Sequence, residues 1–237
     1  PEWTMADDPA RAQMLANRLK KKQRKLSPWA KREGLEAWRL YDRDIPEIPL
    51  VVDRYGDHLH LSVYRRDPPV PGPTLRLWRE AAGAALGVDL DKVAMKVRRQ
   101  QKGTRAQYTS TGETGERFVV RERELRFWVD LFSYLDTGLF LDHRDTRLRV
   151  SRESADKRVL NLYAYTGSFG VYALHGGAAA MTHVDLSATY TEWARENAAL
   201  NALDDGRAEW IVADTLPFLA EAAAGGRTWD LVVVDPP

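Results

Sequence analysis

Three aspartates, Asp185, Asp214 and Asp235, each close an apolar run: Ala180-Met-Thr-His-Val, Ala208-Glu-Trp-Ile-Val and Leu231-Val-Val-Val. A fourth run, Val159-Leu-Asn-Leu-Tyr, leads instead into Tyr165-Thr-Gly-Ser-Phe-Gly. Carboxylates at strand ends accept hydrogen bonds from hydroxyl and amine groups, and a glycine where a helix opens lets backbone amides approach a ligand. Asp185 follows Gly167 by eighteen residues, about where a carboxylate in such a fold takes two ribose hydroxyls. The dinucleotide fingerprint Gly-x-Gly-x-x-Gly is absent, because only Gly167 and Gly170 are present and they stand three apart. A pyrophosphate needs that cradle. An adenosine with a zwitterionic amino-acid tail needs one close approach and carboxylates, a description that S-adenosylmethionine fits. Asp214 then accepts from the adenine amine, and Asp235-Pro236-Pro237 forms a rigid turn beside the sulfonium, where a substrate base is held.

These groups require a scaffold, and the runs supply one. Strands ending at Tyr163, Asp185, Asp214 and Asp235 alternate with helices over Phe169 to His175, Ser187 to Asn201 (capped by Ser187) and Leu216 to Ala224. A β-α-β-α-β-α-β order predicts a right-handed, doubly wound parallel sheet, with ligands outside the carboxyl ends of its strands.

Upstream, residues Asp8 to Trp38 read as helical, interrupted at Ser27-Pro28 and broken at Gly34 before Leu35-Glu-Ala-Trp-Arg-Leu-Tyr. Leu50 to Tyr55 and His58 to Tyr64 flank a Gly56-Asp57 turn and read as strands. A Pro-rich loop precedes a helix from about Thr74 to Leu86 ended by Gly87. Strands are expected at Lys92 to Val97 and Arg117 to Glu122, with a polar loop from Arg98 to Gly115, and an extended pair at Leu125 to Leu131 and Leu139 to Leu141. The segments divide into a basic helical segment over 1–44, a small α+β domain over 45–145 and the ligand-binding sheet over 146–237.

Composition narrows the classes. With 237 residues, 44% hydrophobic and 29% charged, the chain can bury a core. No apolar run approaches the roughly 18 residues of a membrane span, and an acidic start without an apolar stretch predicts no signal peptide and a cytoplasmic location. There is no Cys, so no disulfide, no Cys-ligated zinc and no thiol nucleophile in this span. The five His show no metal-ligand spacing, and no metal is expected. The net charge of +1 hides an asymmetry: from Asp185 onward ten acids face three bases (minus 7), leaving plus 8 upstream. Nine bases and no acid lie between Arg11 and Arg32, and six bases and no acid between Lys92 and Arg105. Two such runs suggest contact with the phosphates of a nucleic acid. Trp29 and Trp38 beside the first run are expected in the core rather than stacked on bases.

The stretches Asn161-Leu-Tyr-Ala-Tyr-Thr-Gly-Ser-Phe-Gly, His183-Val-Asp-Leu-Ser and Val234-Asp-Pro-Pro resemble the class I methyltransferase domain of the bacterial 23S ribosomal RNA methyltransferase K/L family, in particular its guanine-N7 half. Upstream, Trp29-Ala-Lys-Arg-Glu-Gly, Tyr41-Asp-Arg-Asp-Ile-Pro-Glu and Leu135-Asp-Thr-Gly-Leu-Phe-Leu-Asp-His-Arg resemble it too. The resemblance implies a Rossmann-like α/β fold incomplete at its C-terminus, with four of seven strands present, preceded by the α+β domain and basic helix. It implies S-adenosylmethionine as cofactor, large-subunit ribosomal RNA as partner, no membrane, and fusion to a second methyltransferase half upstream as one arrangement. Cofactor-binding candidates are Tyr165, Thr166, Gly167, Ser168, Phe169, Asp185, Leu186, Ser187 and Asp214. Arg144 of Asp142-His-Arg lies over the cofactor cleft by resemblance, pairing a carboxylate or phosphate; a domain-interface ion pair is the alternative. Asp235, Pro236 and Pro237 are the catalytic candidates. RNA-binding candidates are Arg18, Lys20, Lys21, Lys22, Arg24, Lys25, Lys31, Arg32, Arg98, Arg99 and Lys102. Related cytosine-C5 enzymes need a Cys to attack the ring, whereas guanine N7 is an exposed lone pair that needs no base. Asp235 is then expected to hold the guanine by its amide or amine edge. The alternatives are a cytosine-C5 ribosomal RNA methyltransferase whose Cys lies beyond Pro237, and a non-catalytic RNA-binding module.

Overall fold

The computed structural model describes residues 7–64, 69–98 and 115–236. The chain forms two compact units, Pro1–Ala106 with Val120–Glu124, and Gln107–Val119 with Leu125–Pro237. The expected three segments thus fall into two bodies: the basic helix packs within the first unit, and residues 125–145 belong to the second.

In the first unit, helix α1 (Asp8–Arg32) buries Ala12, Leu15 and Leu19, spaced for one helix face. The helix runs through Pro28 without a break, and the Ser27 hydroxyl donates to the Gln23 carbonyl at 2.8 Å. The helical expectation that extended to Trp38 is corrected: Ala37–Asp42 is strand β1. Gly34, at φ +67, turns the chain out of the helix, and Leu35 bridges to Glu122. Trp38 therefore reaches the core from a strand, and Trp29 packs partly buried against the same cluster.

Strands β2 (Leu50–Tyr55) and β3 (His58–Tyr64), helix α2 (Gly72–Leu86) and strand β4 (Val93–Arg98) complete the unit. The sheet order is β1-β2-β3-β4, antiparallel except between β3 and β4, which α2 links. Leu50, Val52, Leu59, Leu61 and Val63 meet Leu15, Leu19, Trp78 and Ala82 of α1 and α2 in one cluster. The Thr74 hydroxyl donates to the Asp8 carboxylate, tying the helix starts together. Strands β5 (Phe118–Glu122) and β6 (Leu125–Val129) carry the chain between the units. Most of the expected loop over 98–115 lies outside the described residues.

The second unit continues with α3 (Arg144–Glu153), β7 (Arg158–Leu162), α4 (Ser168–His175), β8 (Ala180–Asp185), α5 (Ala188–Leu200), β9 (Ala208–Val212), α6 (Thr215–Ala224) and β10 (Leu231–Val234). The four strands are parallel in the order β10-β7-β8-β9. Alternate residues of β7 face opposite layers: Val159 packs with α3 and α4, and Leu160 with Phe218 and Ala222 of α6. The expected doubly wound sheet is present, and its order reverses between β7 and β10. Residues 139–141 are not a strand, and α3 follows them instead. Helix α3 had no apolar stripe to mark it, because Arg147 and Ser151 share its buried side with Val150.

Each four-stranded sheet buries a histidine, His60 in β3 and His183 in β8. Burial holds both well below the usual 6.5, at about 3, aided for His60 by the positive Arg98, Lys96 and Arg39. The fold takes the neutral imidazole while the unfolded chain binds a proton below about pH 6.5. Stability is therefore fully present above that pH and falls, as pH drops toward 3, by up to about 1.4 kcal/mol per pH unit for each histidine. In urea unfolding, His183→Gln should lose about 2 kcal/mol less than the parent between pH 7 and pH 5; equal losses would contradict the buried neutral state.

Candidate functional site

At the carboxyl ends of β7, β8 and β10, beside the order reversal, lies a cavity of about 250 Å³. Asn161, Tyr163, Tyr165, Ser168 and Phe169 line it from β7 and the start of α4, Asp185 from β8, Tyr190 from α5, and Asp235 and Pro236 from beyond β10. Phe140, Asp142 and His143 from the segment before α3, and Arg147 within it, close another side.

Asp185 is 4% exposed, and its two oxygens accept separate backbone amides, Tyr165 N–H and Ser187 N–H, each at 2.8 Å. Burial raises its pKa from the ordinary value, and the two amides oppose that rise by favouring the anion. A carboxylate so held keeps lone pairs for a pair of vicinal hydroxyls at the cavity. Ser187 also caps α5, its hydroxyl accepting from Tyr190 N–H at 3.3 Å, as expected.

The turn after β7 has left-handed backbone at alternate residues: Tyr163 (φ 51), Tyr165 (φ 51) and Gly167 (φ 73). For the two tyrosines this costs about 1 to 2 kcal/mol each. It sends both side chains into the cavity wall. The Tyr165 ring stands edge-on to Tyr190, centroids 4.6 Å apart, and its hydroxyl accepts from Gly138 N–H at 2.9 Å. Gly167 has a further reason to be glycine, since a Cβ there would lie 2.6 Å from that of Ala194 in α5. Close packing of the α4 start on α5 thus joins the ligand approach that the sequence suggested.

Of the expected cofactor residues, the cavity brings together Tyr165, Ser168, Phe169 and Asp185. Thr166 is buried behind the wall, its hydroxyl donating to the Gly138 carbonyl at 2.6 Å. Leu186 is 58% exposed, and Asp214, also exposed, caps α6 by accepting from Leu216 N–H at 3.0 Å. Arg144 is buried at the start of α3 and does not line the cavity; Arg147, one turn on, does. The Arg147 guanidinium is fully buried, donates to the Phe140 carbonyl at 2.8 Å and lies over the Tyr172 ring. Asp235 and Pro236 line the cavity, and Pro237 lies outside the described residues. Sequence reasoning missed Phe140, Asn161, Tyr163, Arg147 and Tyr190, which carried no polar spacing signal. The donor set suits an adenosyl group with a charged tail: a buried anion for hydroxyls, aromatic walls for a flat ring, and both charge signs nearby.

On α1, Lys20, Lys21, Arg24, Lys25, Lys31 and Arg32 are exposed on one face. Arg18 and Lys22 are partly buried and paired with Asp44 at 3.7 and 2.9 Å. Arg98 is half-buried at the end of β4, 3.4 Å from the Ser62 hydroxyl. Arg99 and Lys102 lie outside the described residues. No helix among the described residues is long and apolar enough to cross a membrane.

A family profile described as S-adenosylmethionine-dependent methyltransferase matches residues 79–237. A Neisseria meningitidis protein named ribosomal RNA large subunit methyltransferase K is 47% identical over 226 residues, covering 94% of this chain and 64% of that protein. A Shewanella ribosomal RNA large subunit methyltransferase K/L is 45% identical over 231 residues, 95% of this chain and 32% of that one. The chain thus spans less than two thirds of the length of these curated relatives. Among solved structures, a Streptococcus mutans protein assigned as a SAM-dependent methyltransferase aligns with a TM-score of 0.77 at 26% identity, covering 95% of this chain and 58% of that one. A further methyltransferase structure, complexed with SAH, aligns at 0.76 over the same share. The chain belongs to the S-adenosylmethionine-dependent methyltransferases.

Proposed function

We propose that this chain is the catalytic part of a cytoplasmic enzyme that methylates N7 of a guanine in 23S ribosomal RNA. The observation that carries the proposal is the cavity joining Asp185 to Asp235-Pro236 at the order reversal of the sheet. The relatives named for large-subunit ribosomal RNA support the substrate class.

In this reading Asp185 binds the ribose hydroxyls, and the amides of Tyr165 and Ser187 hold its carboxylate in place. Tyr163, Tyr165, Phe169 and Tyr190 wall off water. Thr166 and Gly167 shape the turn, and Leu186 and Asp214 flank the adenine at the outer rim. Arg147 takes the role first given to Arg144, facing the tail carboxylate. When bound, S-adenosylmethionine supplies an electrophilic methyl group. Asp235 accepts from the N–H edge of the guanine, while Pro236 and Pro237 stiffen the turn. N7 needs no deprotonation, so placement at near-attack distance carries most of the rate. The base becomes cationic on methylation, and a carboxylate in the same cavity stabilises that charge. No general base is assigned.

Nucleoside mass spectrometry of ribosomal RNA, incubated with the full-length protein and labelled cofactor, tests this. The expected product is 7-methylguanosine; 5-methylcytidine, or no transfer, would overturn the assignment.

The exposed face of α1 is assigned to RNA phosphates. Replacing Lys21, Arg24 and Lys25 with Ala should weaken RNA binding evenly across sequences. It should also reduce the salt slope by about 1 for each phosphate that is no longer neutralised. Filter binding across a salt series reads this, and an unchanged slope would assign the RNA elsewhere.

A further inference from the structure

The function just described gives no role to His143. Its Nε2 nevertheless lies 3.4 Å from Asp235 Oδ2, and both residues line the cavity that contains Asp185. The two partners are held very differently. His143 immediately precedes α3, and its carbonyl accepts the Arg147 amide at 2.8 Å, so the first helical turn fixes its backbone. Its ring meets Phe169 edge-on with centroids 5.7 Å apart, which limits its rotation. Asp235 is 47% exposed beyond the end of β10, and among the described residues no other cationic side chain lies within ion-pair distance of its carboxylate. The following Pro236 confines the backbone of Asp235 to extended conformations. Only its side-chain torsions then remain to decide where the carboxylate points.

We propose that His143 is a positioning residue, which aims the Asp235 carboxylate at the methyl-accepting base; this rests on the role given to Asp235 above. At 3.4 Å the contact is long for a hydrogen bond, a geometry that commonly tightens once a ligand closes the site. The choice of imidazole follows from charge. A neutral histidine donates one hydrogen bond and leaves the carboxylate negative. A lysine or arginine would cancel the charge needed when the base becomes cationic. The other charged groups lining the cavity are Asp142, Arg147 and Asp185.

Two measurements on the full-length protein test this. The first needs no methyl acceptor: the Nε2 nitrogen and proton resonances of His143 are compared by NMR at one pH in the parent and in Asp235→Asn. Losing the acceptor should shift the Nε2 resonances of His143 and leave those of the other four histidines in place. Unchanged His143 resonances would overturn the pairing. The second is steady-state methyl transfer to ribosomal RNA. His143→Ala should lower kcat by about tenfold, with KM for RNA and cofactor affinity within about twofold of the parent. His143→Gln, which keeps a donor, should recover most of the loss. A parent-like kcat in His143→Ala, a loss seen in cofactor affinity, or no recovery in His143→Gln would each overturn the role. A parent protein that methylates no ribosomal RNA would instead overturn the functional reading, and the NMR comparison would still decide the pairing.

Discussion

Asp185→Ala is expected to weaken S-adenosylmethionine binding by about 100-fold or more in titration calorimetry. The substitution removes two kinds of interaction together. One is the proposed pair of charge-assisted hydrogen bonds to the ribose, of about 1.5 to 3 kcal/mol each, where about 2.7 kcal/mol already corresponds to 100-fold. The other is the shared acceptor that fixes Tyr165 and Ser187, whose amides both donate to this carboxylate. Asp185→Asn separates the two effects. Its amide keeps one oxygen but turns an N–H donor toward a backbone N–H, so it should bind between the alanine variant and the parent. Wild-type affinity in Asp185→Ala would remove the residue from the site.

Gly138→Ala is expected to destabilise the second unit by about 3 kcal/mol or more. Gly138 sits at φ +93, and a Cβ there would stand 2.4 Å from Trp193 Cζ2 and 3.2 Å from the Trp128 carbonyl. Neither neighbour can easily yield. Trp193 is buried and donates from its indole nitrogen to that same carbonyl at 3.1 Å, and Asn197 of the same helix accepts from Trp128 N–H at 2.9 Å. The position also matters to the cavity, since Gly138 donates to the Tyr165 hydroxyl and accepts from Thr166. Urea unfolding followed by tryptophan fluorescence checks the prediction. A midpoint equal to the parent's would show that the turn gives way more readily than its packing implies.

Strands β7 and β8 were legible because a strand buried on both faces is a near-continuous apolar run, whereas β9 and β10 are partly exposed and were marked by their apolar runs and closing aspartates. Strands β7 to β10 consequently end within two residues of expectation. Strand β1 was misread because Trp38 and Leu35 fit a helical spacing, and an irregularity between Arg39 and Tyr41 breaks its alternation, so that only pairing with β2 defines it. Helix α3 escaped for a related reason: its buried face is built on an arginine, and a pattern search counts arginine as solvent-facing. Arg144 was placed over the cleft by resemblance; it is buried at the start of α3, and Arg147, one helical turn on, lines the cavity. The strand-end carboxylates were read from spacing alone. The aromatic wall was not, since tyrosines in a turn carry no mark of which way they point.

The left-handed tyrosines at 163 and 165 set a limit on engineering this protein. Glycine or asparagine would relax the backbone at either position, so a library screened for melting temperature alone would enrich them. Each such gain would strip an aromatic panel from the cavity. Thermal tolerance and occupancy of the site would then diverge, and a useful variant would have to be selected for both at once.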